Sequence, residues 1–351
     1  MPSIDYSHDA SAPGKPLRSD SGPRIAIIGA GMAGISCAEA LKQAGLSATL
    51  FEKSRGPGGR LATRRNEAGQ CFDHGAQYIT SRASPFTQWL DARRRDRSAA
   101  AWDPQLADAS KQDHHPWIVG KPAMNALLKP LSNALDLRTQ TTIIGLQREL
   151  HHWRLLTENG ALPERYDVVI TTTPCPQARA LLAVEPSLQS QLDGVVMAPC
   201  WALMISFSQP LPVDFDARRF DTGATAWLAR QASRPGHAVD DNASPRNAWV
   251  VHASADWSTA QLELEPAQAA ALLQADLARV IGKPLPAVTF AQAHRWRYAL
   301  TTQPLGKPFL AHGDNSLYVA GDWCLGARVE CAYESGVAVA RAVAHAQQPA
   351  S

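Results

Sequence analysis

Apolar residues along the first half of this chain come in short unbroken runs set between glycine-rich and polar stretches. Beyond the middle they come in longer runs that alternate with polar positions. Ile25 to Ile28 is a run of four with no polar break, the mark of a strand buried on both faces. A helix follows it, and Ala48 to Phe51 is a second short strand. Residues 84–117 read as helix and loop carrying Trp89, Trp102 and Trp117. Met124, Leu127, Leu128, Leu131 and Leu135 share one helical face and predict a helix over 120–135. Stretches 141–150 and 152–160 predict a hairpin, 165–174 a buried strand stopped by Pro174, and 177–184 a helix. From about 185 the texture changes. Strands are expected at 201–207, 248–254 and 288–299, with a helix at 265–282 closed by Gly282. Residues 208–247 predict loops with one short strand. The last segment returns to the first texture: a strand, Gly321-Asp322, a loop, and a helix from about Val329.

These elements predict an α/β chain with two domains. A discontinuous Rossmann-like nucleotide-binding domain takes residues 24–80, 118–184 and 305–348. A second, α+β domain for the substrate takes 81–117 and 185–304 and is built around an antiparallel or mixed sheet. Residues 1–23 hold Pro2, Pro13, Pro16 and Pro23 among Ser, Asp and Gly, a composition expected of a disordered leader and not of a signal peptide. No apolar run approaches the roughly 18 residues of a membrane span, and a cytoplasmic protein is expected.

Composition narrows the chemistry by exclusion. A net charge of +2 with 19% charged residues gives no footprint for nucleic acid. The densest basic run, "DARRRDR" at 91–97, is interleaved with aspartates and reads as a solvated helix face. The cysteines at 37, 71, 175, 200, 324 and 331 form no C-x-x-C pair and no zinc spacing with histidine. Reduced thiols and no metal site are expected.

The first strand runs into Gly29, Gly31 and Gly34, a G-x-G-x-x-G spacing. Gly29 makes the tight turn, Gly31 lets backbone approach a pyrophosphate, and Gly34 lets the helix pack on the strand. The helix N-terminus then faces the phosphates. Glu52 ends the second strand 18 residues past Gly34, placed to accept hydrogen bonds from an adenosine ribose. The loop "SRGPGGRLATRR" at 54–65 sets Gly59 and Arg60 beside that site, and an arginine there suits a bidentate phosphate contact. In "CFDHGAQYIT" the small residues Gly75 and Ala76, followed by Gln77, allow a close approach to a flat ligand.

The glycine fingerprint with Glu52, the "GGR" loop, the "VITTTP" strand at 169–174 and the C-terminal "AGDW" with "ARVECAYESG" stand in a fixed order. Together they resemble the FAD-dependent amine-oxidase-like superfamily, which includes monoamine oxidases, protoporphyrinogen oxidases, phytoene desaturases and renalases. "DHGAQYIT", "AHRWRYA" at 293–299 and "GDWC" at 321–324 look most like the bacterial renalase-type proteins. The resemblance implies non-covalent FAD held by Gly29, Gly31, Ala33, Gly34, Glu52, Lys53, Gly59, Arg60, Gly75, Ala76 and Gln77. It further implies Ile144 at the adenine, Gly321 and Asp322 at the ribityl and pyrophosphate, and Val329, Glu330 and Ala332 at the flavin pyrimidine edge. The chain departs from the usual pattern at Cys331, where the family commonly has glycine. The cysteine that carries a covalent flavin in some monoamine oxidases has no counterpart, because no cysteine lies between Cys200 and Cys324.

The activity implied is an oxidase taking hydride from an isomeric dihydro-NAD(P), the 2- or 6-dihydronicotinamide form, with dioxygen as acceptor and NAD(P)+ and hydrogen peroxide as products. Trp296, Tyr298 and Trp323 are the expected aromatic wall, with no acid or base residue required. Arg295 and Arg297 share one strand face, Trp296 and Tyr298 the other, and Arg295, Arg297 or Arg328 is expected to meet substrate phosphate. The alternatives are an amine oxidase, with Tyr298 and Tyr333 or Trp323 as a cage, a desaturase, or a non-catalytic FAD-binding protein.

Overall fold

The computed structural model describes residues 22–108, 115–237 and 247–348, so nearly all of the expected leader lies outside the described residues. Ile25–Ile28 is the centre of a six-stranded sheet, flanked in parallel by Ala48–Phe51 and Val168–Thr171. Asp136–Arg138 lies outside the former and Leu317–Val319 outside the latter, both parallel; Leu310–Ala311 adds an antiparallel edge. The unbroken apolar run of the first strand has its reason here. Ile25 and Ile27 enter one core with the first helix, Met32–Gln43, and the C-terminal helix, Val329–Ala346. Ala26 and Ile28 enter a second core on the opposite face with Trp153, Val169 and Trp323.

The second layer of the molecule is a five-stranded antiparallel sheet. Its order is Ala217–Arg219, Thr225–Arg230, Ala248–Ala253, Val196–Phe207, Val288–Gln303. Trp201, Leu203 and Ile205 pack one face of it against the helix Pro266–Ile281. Glu265 and Gln268 form a capping box at the start of that helix, and Gly282 ends it in the left-handed conformation. The α/β class and the mixed architecture are as the sequence pattern predicts.

Several local expectations change. The helix over 120–135 is a 3-10 turn, Met124–Leu127, and one short helix, Lys129–Ser132, because Pro122 and Pro130 interrupt the apolar period. The stretch 84–117 holds the helix Ser84–Arg95 and then a strand, Ala99–Trp102, paired with Trp117–Gly120. The hairpin gains a third strand, Gly160–Tyr166, which ends before the buried strand begins at Val168. Among its described residues, the 208–247 stretch holds two strands, Ala217–Arg219 and Thr225–Arg230, where one was expected.

The first and last helices cross in direct contact. A Cβ at Gly336 would lie 2.2 Å from the carbonyl oxygen of Ala33. Ser335 accepts a hydrogen bond from the Gly321 amide at 2.9 Å and donates to the Pro308 carbonyl at 2.6 Å. The crossing therefore fixes where the Gly321 turn stands. Gly336→Ala is expected to destabilise the protein by about 1–3 kcal/mol through overpacking. A denaturant titration reads this; an unchanged midpoint would show that the helices can separate without cost.

Candidate functional site

The turn after the first strand is built around an empty space. Gly29 has φ of +103°, and a Cβ at Gly34 would meet the Gly29 carbonyl oxygen at 2.0 Å, so neither position accepts a side chain. Thr172 clips the turn by donating its hydroxyl to the carbonyls of Ile28 and Gly29, at 3.0 Å each. A Cβ at Gly31 would meet nothing within 4 Å. Gly31 is the N-cap of the first helix, no side chain caps it, and no acidic residue occupies the first turn. Glu52 is buried beside it. One carboxylate oxygen accepts the Ala30 amide and the other the Ser54 amide, at 2.9 Å each. Glu52 thus shapes the glycine turn as well as facing it, and each oxygen keeps a lone pair for a ribose hydroxyl. Lys53 is exposed at its side.

The second glycine loop closes over the first. Gly58 donates its amide to the Ala30 carbonyl at 3.0 Å, and the Cβ position of Gly59 lies 3.4 Å from the Gly31 Cα. Ala76 donates to the Arg60 carbonyl at 2.8 Å, and a Cβ on Gly75 would lie 2.0 Å from that same oxygen. The Arg60 guanidinium grips Asp322 with both terminal nitrogens, at 2.8 and 2.5 Å, and donates to the Ala299 carbonyl at 3.0 Å. Thr301 adds a hydroxyl to Asp322 at 3.3 Å. Gly29, Gly31, Gly59, Arg60, Gly75, Ala76, Gly321 and Asp322 therefore converge. The Arg60 terminal nitrogens are spent mostly on protein acceptors, which makes Arg60 a clamp more than a phosphate fork. Val329 opens the C-terminal helix, whose N-cap Arg328 makes no side-chain cap. Ala33 and Ala332 are buried in the first core. Open space at Gly31, an uncapped helix start and a buried carboxylate on the turn fit the pyrophosphate and ribose of a flavin dinucleotide.

Other expected residues stand elsewhere. Trp323 is fully buried in the second core and gives its indole N–H to the Thr173 carbonyl at 2.9 Å, so it walls no open site. The Gln77 amide is consumed by Asp73 and Gly75 carbonyls, Trp227 and Arg234. Glu330 is buried and accepts the amides of Arg82 and Ala83 at 2.8 and 2.7 Å, with Arg328 at 2.9 Å, leaving only backbone for a cofactor. Ile144 is 51% exposed and its amide is given to Leu156. Arg295 and Arg297 do share a face, but both are paired with Glu263. Tyr333 packs on Phe86 and Trp89, not beside Tyr298. The buried Cys331 thiol points at Gly326, whose Cβ position is 3.6 Å from Sγ.

The opposite face of the Val288–Gln303 strand carries what the sequence reading missed. Trp296 stacks on His74 with centroids 5.1 Å apart and donates to the His74 carbonyl at 2.9 Å. His294 stands edge-on to both rings, at 4.9 and 4.5 Å. His252 approaches the same carbonyl at 3.1 Å. Extending the period-2 reading of Trp296 and Tyr298 back by two residues would have found His294. Burial holds the three imidazoles neutral. His74 falls to about 3, through burial and then the charges of His294 and Arg64. His294 falls to about 4, through burial and then Arg64 and Lys53. His252 also falls to about 4, through burial first. Behind them, Asp73 is fully buried, and burial alone would raise it. Its hydrogen bond to His237 and the charges of His237 and Arg234 outweigh that and hold it at about 2.

Comparison with known proteins places these features. A family profile described as NAD(P)-binding Rossmann-like domain matches residues 27–92, and one described as Flavin containing amine oxidoreductase matches 96–344. An L-amino-acid oxidase of Daboia russelii is 43% identical over 63 residues, which is 18% of this chain and 12% of that protein. Protoporphyrinogen oxidase 2, chloroplastic/mitochondrial, of Arabidopsis thaliana is 37% identical over 75 residues, 21% of this chain and 15% of that protein. The tRNA 5-methylaminomethyl-2-thiouridine biosynthesis bifunctional protein MnmC of Magnetococcus marinus is 42% identical over 74 residues, 18% of this chain. The matches thus span only about 11–15% of these curated relatives' lengths. A solved structure from Exiguobacterium sp. 255-15, named "putative protoporphyrinogen oxidase", superposes with a TM-score of 0.72 at 15% identity, over 93% of this chain and 99% of its own. A redesigned putrescine oxidase superposes at 0.66 and 12% identity, over 92% and 99%. These share the fold.

The neutral imidazoles make stability pH-dependent. The unfolded chain takes up protons at histidine below about pH 6.5, while the native rings stay neutral to about pH 4. Stability is therefore complete above pH 6.5 and is lost as pH falls toward 4. Denaturant titrations across that window should give a shallower slope for His294→Gln, by up to about one proton's uptake. An identical slope would show that His294 is solvated in the native state.

Proposed function

The chain belongs to the family of flavin containing amine oxidoreductases, and we propose that within it the protein is a renalase-type oxidase of an isomeric dihydronicotinamide dinucleotide. The observation that carries this reading is the charge around the buried His74 and half-buried His294 rings. His74 and His294 are neutral at physiological pH, and the charges acting on them are the cations Arg64 and Lys53. Neither cation forms a salt bridge among the described residues. A flat neutral donor ring with phosphates attached suits such surroundings, whereas a protonated amine would be repelled.

Held without a covalent link by the Gly29–Gly34 turn, Glu52 and the Gly321–Asp322 turn, FAD would supply the hydride acceptor, with dioxygen as the final oxidant and NAD(P)+ and hydrogen peroxide as products. The chain's own part is orientation. Trp296 is fixed by its hydrogen bond to the His74 carbonyl and presents a ring held in one plane. Arg60 and Asp322 tie the cofactor loops to the strand that carries Trp296 and Tyr298, so the two halves of the site keep one spacing. Such positioning is where a protein contributes most when the cofactor does the chemistry. The six unpaired cysteines support a reducing compartment, the cytoplasm.

Anaerobic mixing tests this. The holoprotein is mixed with the 2- and 6-dihydro isomers, with ordinary NADH and with a panel of amines, while flavin absorbance is followed. The isomers should bleach the flavin about a hundredfold faster than NADH, since an ångström of displacement costs on that order. Faster bleaching by an amine would assign the protein as an amine oxidase; no bleaching by any donor would leave it a binding protein.

A further inference from the structure

The short strand pair that leads into His74 sorts its side chains by face. Thr63–Arg65 runs antiparallel to Cys71–Asp73, with Thr63 opposite Asp73 and Arg64 opposite Phe72. Thr63 and Asp73 turn one way: the Thr63 hydroxyl donates to Asp73 at 2.5 Å, and His237 meets Asp73 at 2.9 Å. Phe72 and His74 turn the other way, toward the Val288–Gln303 strand. Phe72 packs on Phe290 with ring centroids 5.3 Å apart, and His74 packs on His294 and Trp296. Cross-strand partners share a face, so Arg64 stands on the Phe72 side and diagonal to His74, where such neighbours lie about 7–8 Å apart. The strand pair thus brings one guanidinium to the flank of the ring wall.

Arg64 is half-buried, and its side chain has no hydrogen-bond or ion-pair partner among the described residues. The other arginines around the site are engaged: Arg60 with Asp322, Arg295 and Arg297 with Glu263, Arg328 with Glu330. The charge of Arg64 reaches both His74 and His294, and the exposed Lys53 adds a second charge at His294. His294, Trp296 and Tyr298 are themselves only partly covered, so the face beside Arg64 is reached from solvent. An arginine rooted in a strand, with its fork free and partly exposed, suits a phosphate, which it meets with two parallel hydrogen bonds.

We infer that Arg64 is the specificity-determining residue for the donor's phosphate: with the donor ring against Trp296 and His294, the Arg64 guanidinium receives the phosphate carried on the ribose of that ring. The assignment rests on the reading of the donor as a dihydronicotinamide dinucleotide, and it selects a nucleotide over the nucleoside or the free base. Arg64 takes the part expected of Arg295, Arg297 or Arg328, which are paired with carboxylates. No ion pair of Arg64 has to break when the phosphate arrives, so the attraction is not offset by a lost protein contact. Because the guanidinium is only half-buried, that attraction is screened by salt.

The test titrates the oxidised holoprotein, followed by flavin absorbance, with nicotinamide mononucleotide and with nicotinamide riboside, which differ by the phosphate alone. The mononucleotide should bind at least about tenfold more tightly than the riboside at low salt, and the advantage should shrink as salt is raised. Arg64→Met should remove most of that advantage without weakening the riboside. Arg64→Lys, which keeps the charge and loses the fork, should recover part of it. Circular dichroism reports whether each variant is folded; should Arg64→Met fail to fold, Arg64→Gln takes its place with the same expectation. Equal affinity for the two ligands in the wild type, or an undiminished advantage in the folded Arg64→Met protein, overturns the assignment and leaves the donor reading standing. Loss of FAD from folded Arg64→Met protein would place Arg64 at the cofactor and overturns it too. If neither ligand binds, the donor reading falls and the assignment falls with it.

Discussion

The bidentate pair between Arg60 and Asp322 is the contact on which the site depends, because it joins three parts of the chain at once. Arg60 comes from the loop after the second strand, Asp322 from the turn before the last helix, and the Ala299 carbonyl from the long strand of the antiparallel sheet. Asp322 is almost fully buried, with 7% of its side chain exposed, while Arg60 keeps 29%. Breaking a fully buried pair costs on the order of 3–5 kcal/mol because the remaining charge is stranded. Here the cost is smaller, since Arg60 can turn to water, but Asp322 cannot.

Everything beneath that pair serves to hold its two ends at a fixed separation. The parallel sheet is packed on both faces, which fixes the glycine turn and Glu52. Gly336 lets the last helix lie on the first, and Ser335 fastens the Gly321 turn to it. The Asp73–His237–Arg234 cluster anchors the segment that runs through Gly75 and Ala76. Burial lowers Arg234 to about 10 with Asp73 opposing, so it keeps its charge at neutral pH. The ring wall of His74, His294 and Trp296 thus stands on a rigid support and is neutral, with the positive charge beside it and not within it.

The parts of this arrangement legible in the sequence are those governed by local spacing. The glycine turn, the strand before it and Glu52 after it are set by distances of a few residues along the chain. The alternation that separates Arg295 and Arg297 from Trp296 is equally local. What the sequence did not disclose depends on partners far away in the chain. Gln77 looks like a ligand contact until Trp227 and Arg234 are seen to take its amide, some 150 residues on. Glu330 is claimed by the amides of Arg82 and Ala83, and Trp323 by the Thr173 carbonyl. In each case a residue beside a cofactor motif is taken up by a partner far along the chain, and no periodicity reports that. The helix expected over 120–135 failed for a local reason that was in view, since two prolines stand inside it.

The central claim is that Arg60 and Asp322 act as one unit to close the cofactor cradle. The direct measurement is the FAD dissociation constant of apoprotein reconstituted as wild type, Arg60→Met, Asp322→Asn and the double variant. The account predicts that each single change weakens FAD binding at least about tenfold, and that the double variant binds no worse than the weaker single, as expected of a coupled pair. Wild-type affinity in either single variant, or losses that simply add in the double, would contradict it.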